Sequence, residues 1–311
     1  MLIWRSASLA NRSWELVGDA LPGSAGGAYG TFYRPHVLFN SQTARYVLIV
    51  NLNTHGAGQD GLWRNAAATS ASPEGPFENL TDMAHLSWRA RPGTNLGDFG
   101  LLDNTAADGA AYMAYNVMGA GLGIFVERLS PSFTDGTNNS AQISACLNCA
   151  PPQPAWRQYE ESPTMFRTSD GRYVVLTAGA TCFGLPQPGG APWGGTGIYA
   201  YVAPAPLGPY AFVGDLNSPS GLAGQECAAC LEAACPAGRC ALPVQLNSIV
   251  RRFDGAPIAL TASLWALDAF NRTTNVLGDF AEYWQPWSAV VDASTGLPKS
   301  LAYMPTFELD W

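Results

Sequence analysis

Two carboxylic acids, Asp98 and Glu161, one carboxamide, Gln245, and one guanidinium, Arg34, each open a short apolar strand. The strands read Arg34-Pro-His-Val-Leu-Phe39, Asp98-Phe-Gly-Leu-Leu-Asp103, Glu161-Ser-Pro-Thr-Met-Phe166 and Gln245-Leu-Asn-Ser-Ile-Val250. Two carboxyls held near each other suit proton transfer, because one negative charge keeps the neighbouring acid protonated closer to neutral pH. A repeat of roughly 60 residues that always opens on a polar residue implies radial repetition of one small sheet. In such a ring the opening residues converge on an axis. Fold and site become a single expectation.

The elements that would position these residues are legible as hairpins. A second strand follows each opening strand: Ala44–Val50, Ala110–Tyr115, Arg172–Leu176 and Pro257–Thr261. Three of the intervening turns carry Asp108-Gly109, Asp170-Gly171 and Asp254-Gly255, which supply the positive φ that tight hairpins need. Third strands are expected at Leu2–Ser6, Trp63–Thr69, Gly123–Arg128, Gly197–Val202 and Trp287–Asp292. Outer segments follow four of them, and Gly75-Pro-Phe77 and Gly208-Pro-Tyr210 are their clearest internal echo. Five third strands against four opening hairpins predict an all-β, five-bladed β-propeller, one domain over residues 1–311, whose first blade lacks its inner half. We expect further N-terminal residues to complete that blade, in preference to the C-terminal Phe307–Trp311.

Composition agrees with many short strands. The 311 residues include 33 Gly and 23 Pro, and only 13 % are charged. A formal net charge of −8 argues against nucleic acid as a partner, since phosphate binding needs clustered Lys and Arg. No apolar run is long enough for a membrane-spanning helix. Seven cysteines (Cys146, Cys149, Cys182, Cys227, Cys230, Cys235 and Cys240) and sequons at Asn11, Asn79, Asn138 and Asn271 fit an oxidising, secretory route. No signal peptide opens the chain. The alternative for Cys227, Cys230, Cys235 and Cys240 is a zinc site. His36, His55 and His85 are scattered, with no nucleophile elbow near them.

The motifs Ser6–Trp14, Arg34-Pro-His-Val37, Ser70–Phe77, the Asp98 strand, Glu161–Phe166, Gln245, Ser263–Trp265 and Tyr283–Pro286, in that order, resemble the family-43 glycoside hydrolases. They are most similar to its exo-β-1,3-galactanase group. The resemblance implies a five-bladed propeller that hydrolyses β-1,3-galactan or a related galactose-containing glycan from the chain end, with inversion and without a cofactor. It implies Glu161 as general acid, Asp98 as the carboxylate that tunes it and orients the sugar, and Gln245 as the group that holds water. Arg34 replaces the Asp base common in the family, and Asn53 stands where the galactanase group tends to carry an acid. Arg34 and Asn53 are therefore expected to contact substrate, together with the aromatics Trp265, Trp284, Phe183 and Trp193; Trp287 and Tyr283 are expected to pack. A monomer with an oligo- or polysaccharide ligand is the expected form. Two alternatives stay open: a propeller that binds glycans without cleaving them, and a relative acting on arabinan or xylan.

Overall fold

The computed structural model describes residues 1–6, 13–22, 30–54, 62–88, 94–118, 123–143, 160–179, 198–216, 244–251, 257–264, 281–299 and 301. Strands dominate these residues. β1 (Leu2–Ser6) and β2 (Trp14–Asp19) form a two-stranded ribbon. β3 (Thr31–Asn40), β4 (Arg45–Thr54), β5 (Leu62–Ser70) and β6 (Glu78–Asp82) form the second sheet. The third comprises β7 (Asn95–Asp103), β8 (Ala111–Met118), β9 (Gly123–Leu129) and β10 (Gly136–Gln142), with the one-turn helix α1 (Thr105–Asp108) between its first two strands. The fourth comprises β11 (Glu160–Arg167), β12 (Tyr173–Gly179), β13 (Ile198–Ala203) and β14 (Ala211–Asp215). β15 (Val244–Arg251), β16 (Pro257–Leu264) and β17 (Ala281–Pro286) form the last, followed by α2 (Trp287–Val290).

Every sheet runs in simple chain order, the meander of a propeller blade. The expected strands are present, with two corrections. Among the described residues four sheets have three or four strands, so four blades stand where five were expected, and β1–β2 is a ribbon of two. The expected third strand at Trp287–Asp292 opens instead as α2, and β17 takes its place. Pro286 explains the exchange. It caps α2 with φ −61° and ψ 142°, and its missing N–H ends the ladder there. The echo between Gly75-Pro-Phe and Gly208-Pro-Tyr is structural: both glycines have positive φ, +70° and +90°, and each donates its N–H to the carbonyl three residues back.

The chain groups into two compact units. One is Met1–Met113 with Val117–Ala120 and Glu127–Ser140; the other is Ala114–Asn116, Gly121–Val126 and Ala141–Trp311. In the first, Leu48, Val50, Ala66, Ala68 and Phe77 form a core with Ala20 and Leu21. In the second, Phe166, Leu176, Ala178 and Ile198 pack with Leu246, Leu260, Ala262 and Val290, joining β11–β13 to β15–β16 and α2. Alternation along each strand assigns these residues to one face.

Candidate active site

Three of the four inner strands, β3, β11 and β15, carry a β-bulge at or next to the opening residue. The β3–β4 register breaks between Tyr33 and His36, the β11–β12 register between Glu161 and Thr164, and the β15–β16 register between Leu246 and Ser248. A bulge inserts one residue and re-aims its neighbours. Arg34 and Ser162 are the inserted residues of the first two, both before proline and both with left-handed φ, 48° and 53°. Counted from the bulges, Tyr33, Glu161 and Leu246 correspond. The four polar openers therefore do not share one register, as their spacing led us to expect: Arg34 lies one place after that position and Gln245 one place before it.

In the first unit, face and neighbours are clear. Pairing of Tyr33 with Asn51, and of His36 with Ile49, puts Tyr33 and His36 on the face of β3–β4 that carries Asn51 and Asn53. That face meets β7: the Asn51 amide donates to the carbonyls of Leu96 and Gly97, at 2.9 and 3.1 Å, and the His36 ring lies 5.0 Å from Phe99. Arg34 Nε reaches Asp98 Oδ1 at 2.6 Å, with 11 % and 20 % of the two side chains exposed. The structure thus brings together two of the expected site residues. Asp98's negative charge is matched by its guanidinium partner. His36 beside them is held neutral: desolvation first, then the positive charge of Arg34, push its imidazole down to about 4, against the opposing pull of Asp98.

Asn53 shares the Asn51 face of β4 but is only 4 % exposed, and its Oδ1 has no hydrogen-bond partner. Tyr33 on β3 and Trp63 on β5 flank it, and their rings stack with centroids 5.1 Å apart. Trp63 pairs directly with Asn53, and Tyr33 with Asn51, so the two rings meet over the middle strand on the face that carries both amides. Neither aromatic was among the residues expected from sequence. The available signal was adjacency, since Tyr33 immediately precedes Arg34.

In the second unit, Glu161 pairs with Ala178, whose side chain belongs to the core shared with β15 and β16. Glu161 therefore stands on the face of β11 that turns toward β15, and β11 packs on that strand. Glu160 points to the other face, where its carboxylate accepts from Thr177 Oγ1 at 2.9 Å and from the Tyr201 hydroxyl at 2.6 Å. Gln245 pairs with Ser263 through the backbone, which places its strand beside that of Glu161. Trp284 is half-buried opposite Thr261, on the face of β16–β17 away from Leu260 and Ala262, so the fold does not turn it toward β11. Trp287 packs its ring edge-on to Phe166 at 4.8 Å, the packing role expected of it. Trp265, Phe183, Trp193, the seven cysteines, Asn11 and Asn271 lie outside the described residues. Asn79 and Asn138 are exposed. Among the described residues no group of His, Cys, Asp or Glu is arranged to hold a metal ion.

No protein-family model matches the chain, and no curated protein matches it either. Solved structures do. The chain is similar to two GH43 β-1,3-galactosidases, one of them solved with galactodeoxynojirimycin, each at 18 % identity with TM-scores of 0.63 and 0.64. These likenesses cover 97 % and 98 % of this chain but 53 % and 86 % of the two others. It is also similar to an exo-β-1,3-galactanase from Phanerochaete chrysosporium solved with β-1,3-galactotriose, at 18 % identity and TM-score 0.58, over 96 % of this chain and 55 % of that one. The sequential four-stranded meanders and this likeness together give the chain the β-propeller fold of family-43 glycoside hydrolases.

Proposed function

We propose that the chain is a glycoside hydrolase that releases galactose from the end of β-1,3-galactan with inversion, in a propeller whose fifth blade includes β1–β2. The observation that carries this reading is Glu161: a carboxyl at a bulge on an inner strand, facing the neighbouring inner strand, in a fold shared along almost its whole length with galactan-cleaving enzymes. Glu161 protonates the departing glycosidic oxygen as its bond to the anomeric carbon breaks. Water attacks that carbon from the opposite face, which in inverting enzymes requires roughly 6.5–9.5 Å between the acid and the group handling water. Gln245 holds that water. Asp98, its charge balanced by Arg34, fixes the hydroxyls of the terminal sugar rather than acting as a base. The protein is secreted as a monomer, with six of its seven cysteines paired and its exposed sequons glycosylated.

The test is incubation of the whole protein with β-1,3-galactan while proton NMR follows the anomers of the galactose formed. α-Galactose should appear first from the β-linked substrate. Glu161→Gln should reduce release by at least about 10²-fold, while binding persists. Unchanged turnover in that variant removes Glu161 from the mechanism. A second reading, glycan binding without cleavage, is favoured by Asn53: a buried amide stands where the galactanase group tends to carry an acid. Saturable galactan binding with no sugar release selects it.

A further inference from the structure

We propose that the stacked rings of Tyr33 and Trp63 form the platform on which the terminal sugar ring lies, with the Arg34–Asp98 ion pair gripping its hydroxyls at the edge. This rests on the glycan reading above and adds residues to it. Three features of the first unit carry it. Tyr33 is 39 % exposed although it sits on an inner strand, and its partner Trp63 is partly exposed, so the stacked pair leaves aromatic surface open to solvent. The residue after Tyr33 is Arg34, which with Asp98 supplies charged donors and acceptors beside that surface. The same face of β4 and β5 carries buried amide atoms with no partner: Asn51 Oδ1, Asn53 Oδ1 and both polar atoms of Asn65, which pairs directly with Asn51. Buried amide atoms without partners are costly, and such sites are commonly completed by water or a polar ligand.

A pyranose fits this combination. Its C–H face is apolar and flat enough to lie on an aromatic ring, while its rim carries hydroxyls that both donate and accept. A lipid would use the apolar surface and leave the ion pair unanswered. The bulge at Arg34 makes the arrangement possible. It keeps Tyr33 and His36 on one face although three positions separate them, and frees the guanidinium to turn toward β7.

The experiment uses the full chain and four probes, β-1,3-galactobiose, xylobiose, arabinobiose and cellobiose, with titration calorimetry and tryptophan emission as readouts. Trp63→Ala and Tyr33→Ala should each weaken binding of the favoured disaccharide about tenfold, the scale of one lost aromatic contact. Trp63→Phe should keep affinity within about threefold of the wild type yet abolish the sugar-dependent change in emission. That variant carries the test if the alanine variants fail to fold. Trp4→Ala, at a residue 52 % exposed on β1, should change neither. In turnover, loss of the platform should raise KM with little change in kcat, since stacking holds ground state and transition state alike. If galactobiose binds and is cleaved but Trp63 and Tyr33 variants behave as wild type, the platform is wrong and the hydrolase reading stands. If another disaccharide binds in a Trp63-dependent way, the platform stands and the galactan assignment falls. Binding of no probe by the wild type overturns the platform outright.

Discussion

Arg34 and Asp98 meet in a setting between surface and core, so removing one partner leaves the other partly desolvated and uncompensated. Asp98→Asn should cost about 1–3 kcal/mol in urea unfolding, between the values typical of exposed and buried pairs. A double-mutant cycle with Arg34→Met should recover part of that loss; strict additivity would mean that the pair is not coupled. His36 beside them sets a pH dependence. Its native pKa, about 4, lies below the unfolded value near 6.5, so the unfolded chain takes up the proton first. The contribution is complete above pH 6.5 and is lost as pH falls through the window from 6.5 to 4, by up to about 3 kcal/mol. His36→Gln should flatten stability across that window, and an unchanged slope would place the imidazole in water. The acid at Glu161 and the acid at Asp98 were legible as residues because they open apolar strands. The Tyr33–Trp63 pair was not, because its members are brought together only by the pairing of β3 and β5 across β4.

At the scale of elements, Gly136 at the start of β10 has no room for a side chain. A Cβ there would lie 2.6 Å from the His85 carbonyl oxygen and 2.7 Å from Glu127 Oε1. Glu127, fully buried, accepts the backbone N–H of Ser87 at 2.8 Å and of Asn138 at 2.9 Å, and so ties β9 and β10 to the segment before β7. Gly136→Ala should destabilise by about 1–3 kcal/mol in denaturant titration, because backbone must move to admit the methyl group. A neutral effect would mean that β10 shifts freely. Strands were readable from alternation, and Asp170-Gly171 forms a turn as expected, whereas Asp108-Gly109 ends the one-turn helix α1 and Asp254-Gly255 lies outside the described residues. The bulges were not, since an inserted residue leaves no mark on hydrophobic alternation beyond a phase slip. That slip is why Arg34 was aligned with Glu161, when its bulge counterpart is Ser162. Likewise the Trp287-Ser-Ala-Val-Val run reads as a strand by composition, yet Pro286 starts a helical turn that buries Val290 and sets Trp287 on Phe166.

For the whole molecule, the repeat of opening residues made the propeller readable, while the blade count was not. The first group of strands supplies only β1–β2, and large apolar side chains stand exposed there and nearby: Leu2, Trp4, Trp14 and Leu16 on the ribbon, Val37 and Phe39 on β3. Val37 and Phe39 share the face of Leu48 and Tyr46, part of whose surface the ribbon covers. The central claim is that side chains from distant parts of the polypeptide gather around one sugar. A crystal structure of the Glu161→Gln protein soaked with β-1,3-galactobiose tests it most directly. The account predicts the disaccharide with its glycosidic oxygen in hydrogen-bond reach of residue 161. A sugar seated away from that residue would contradict the account.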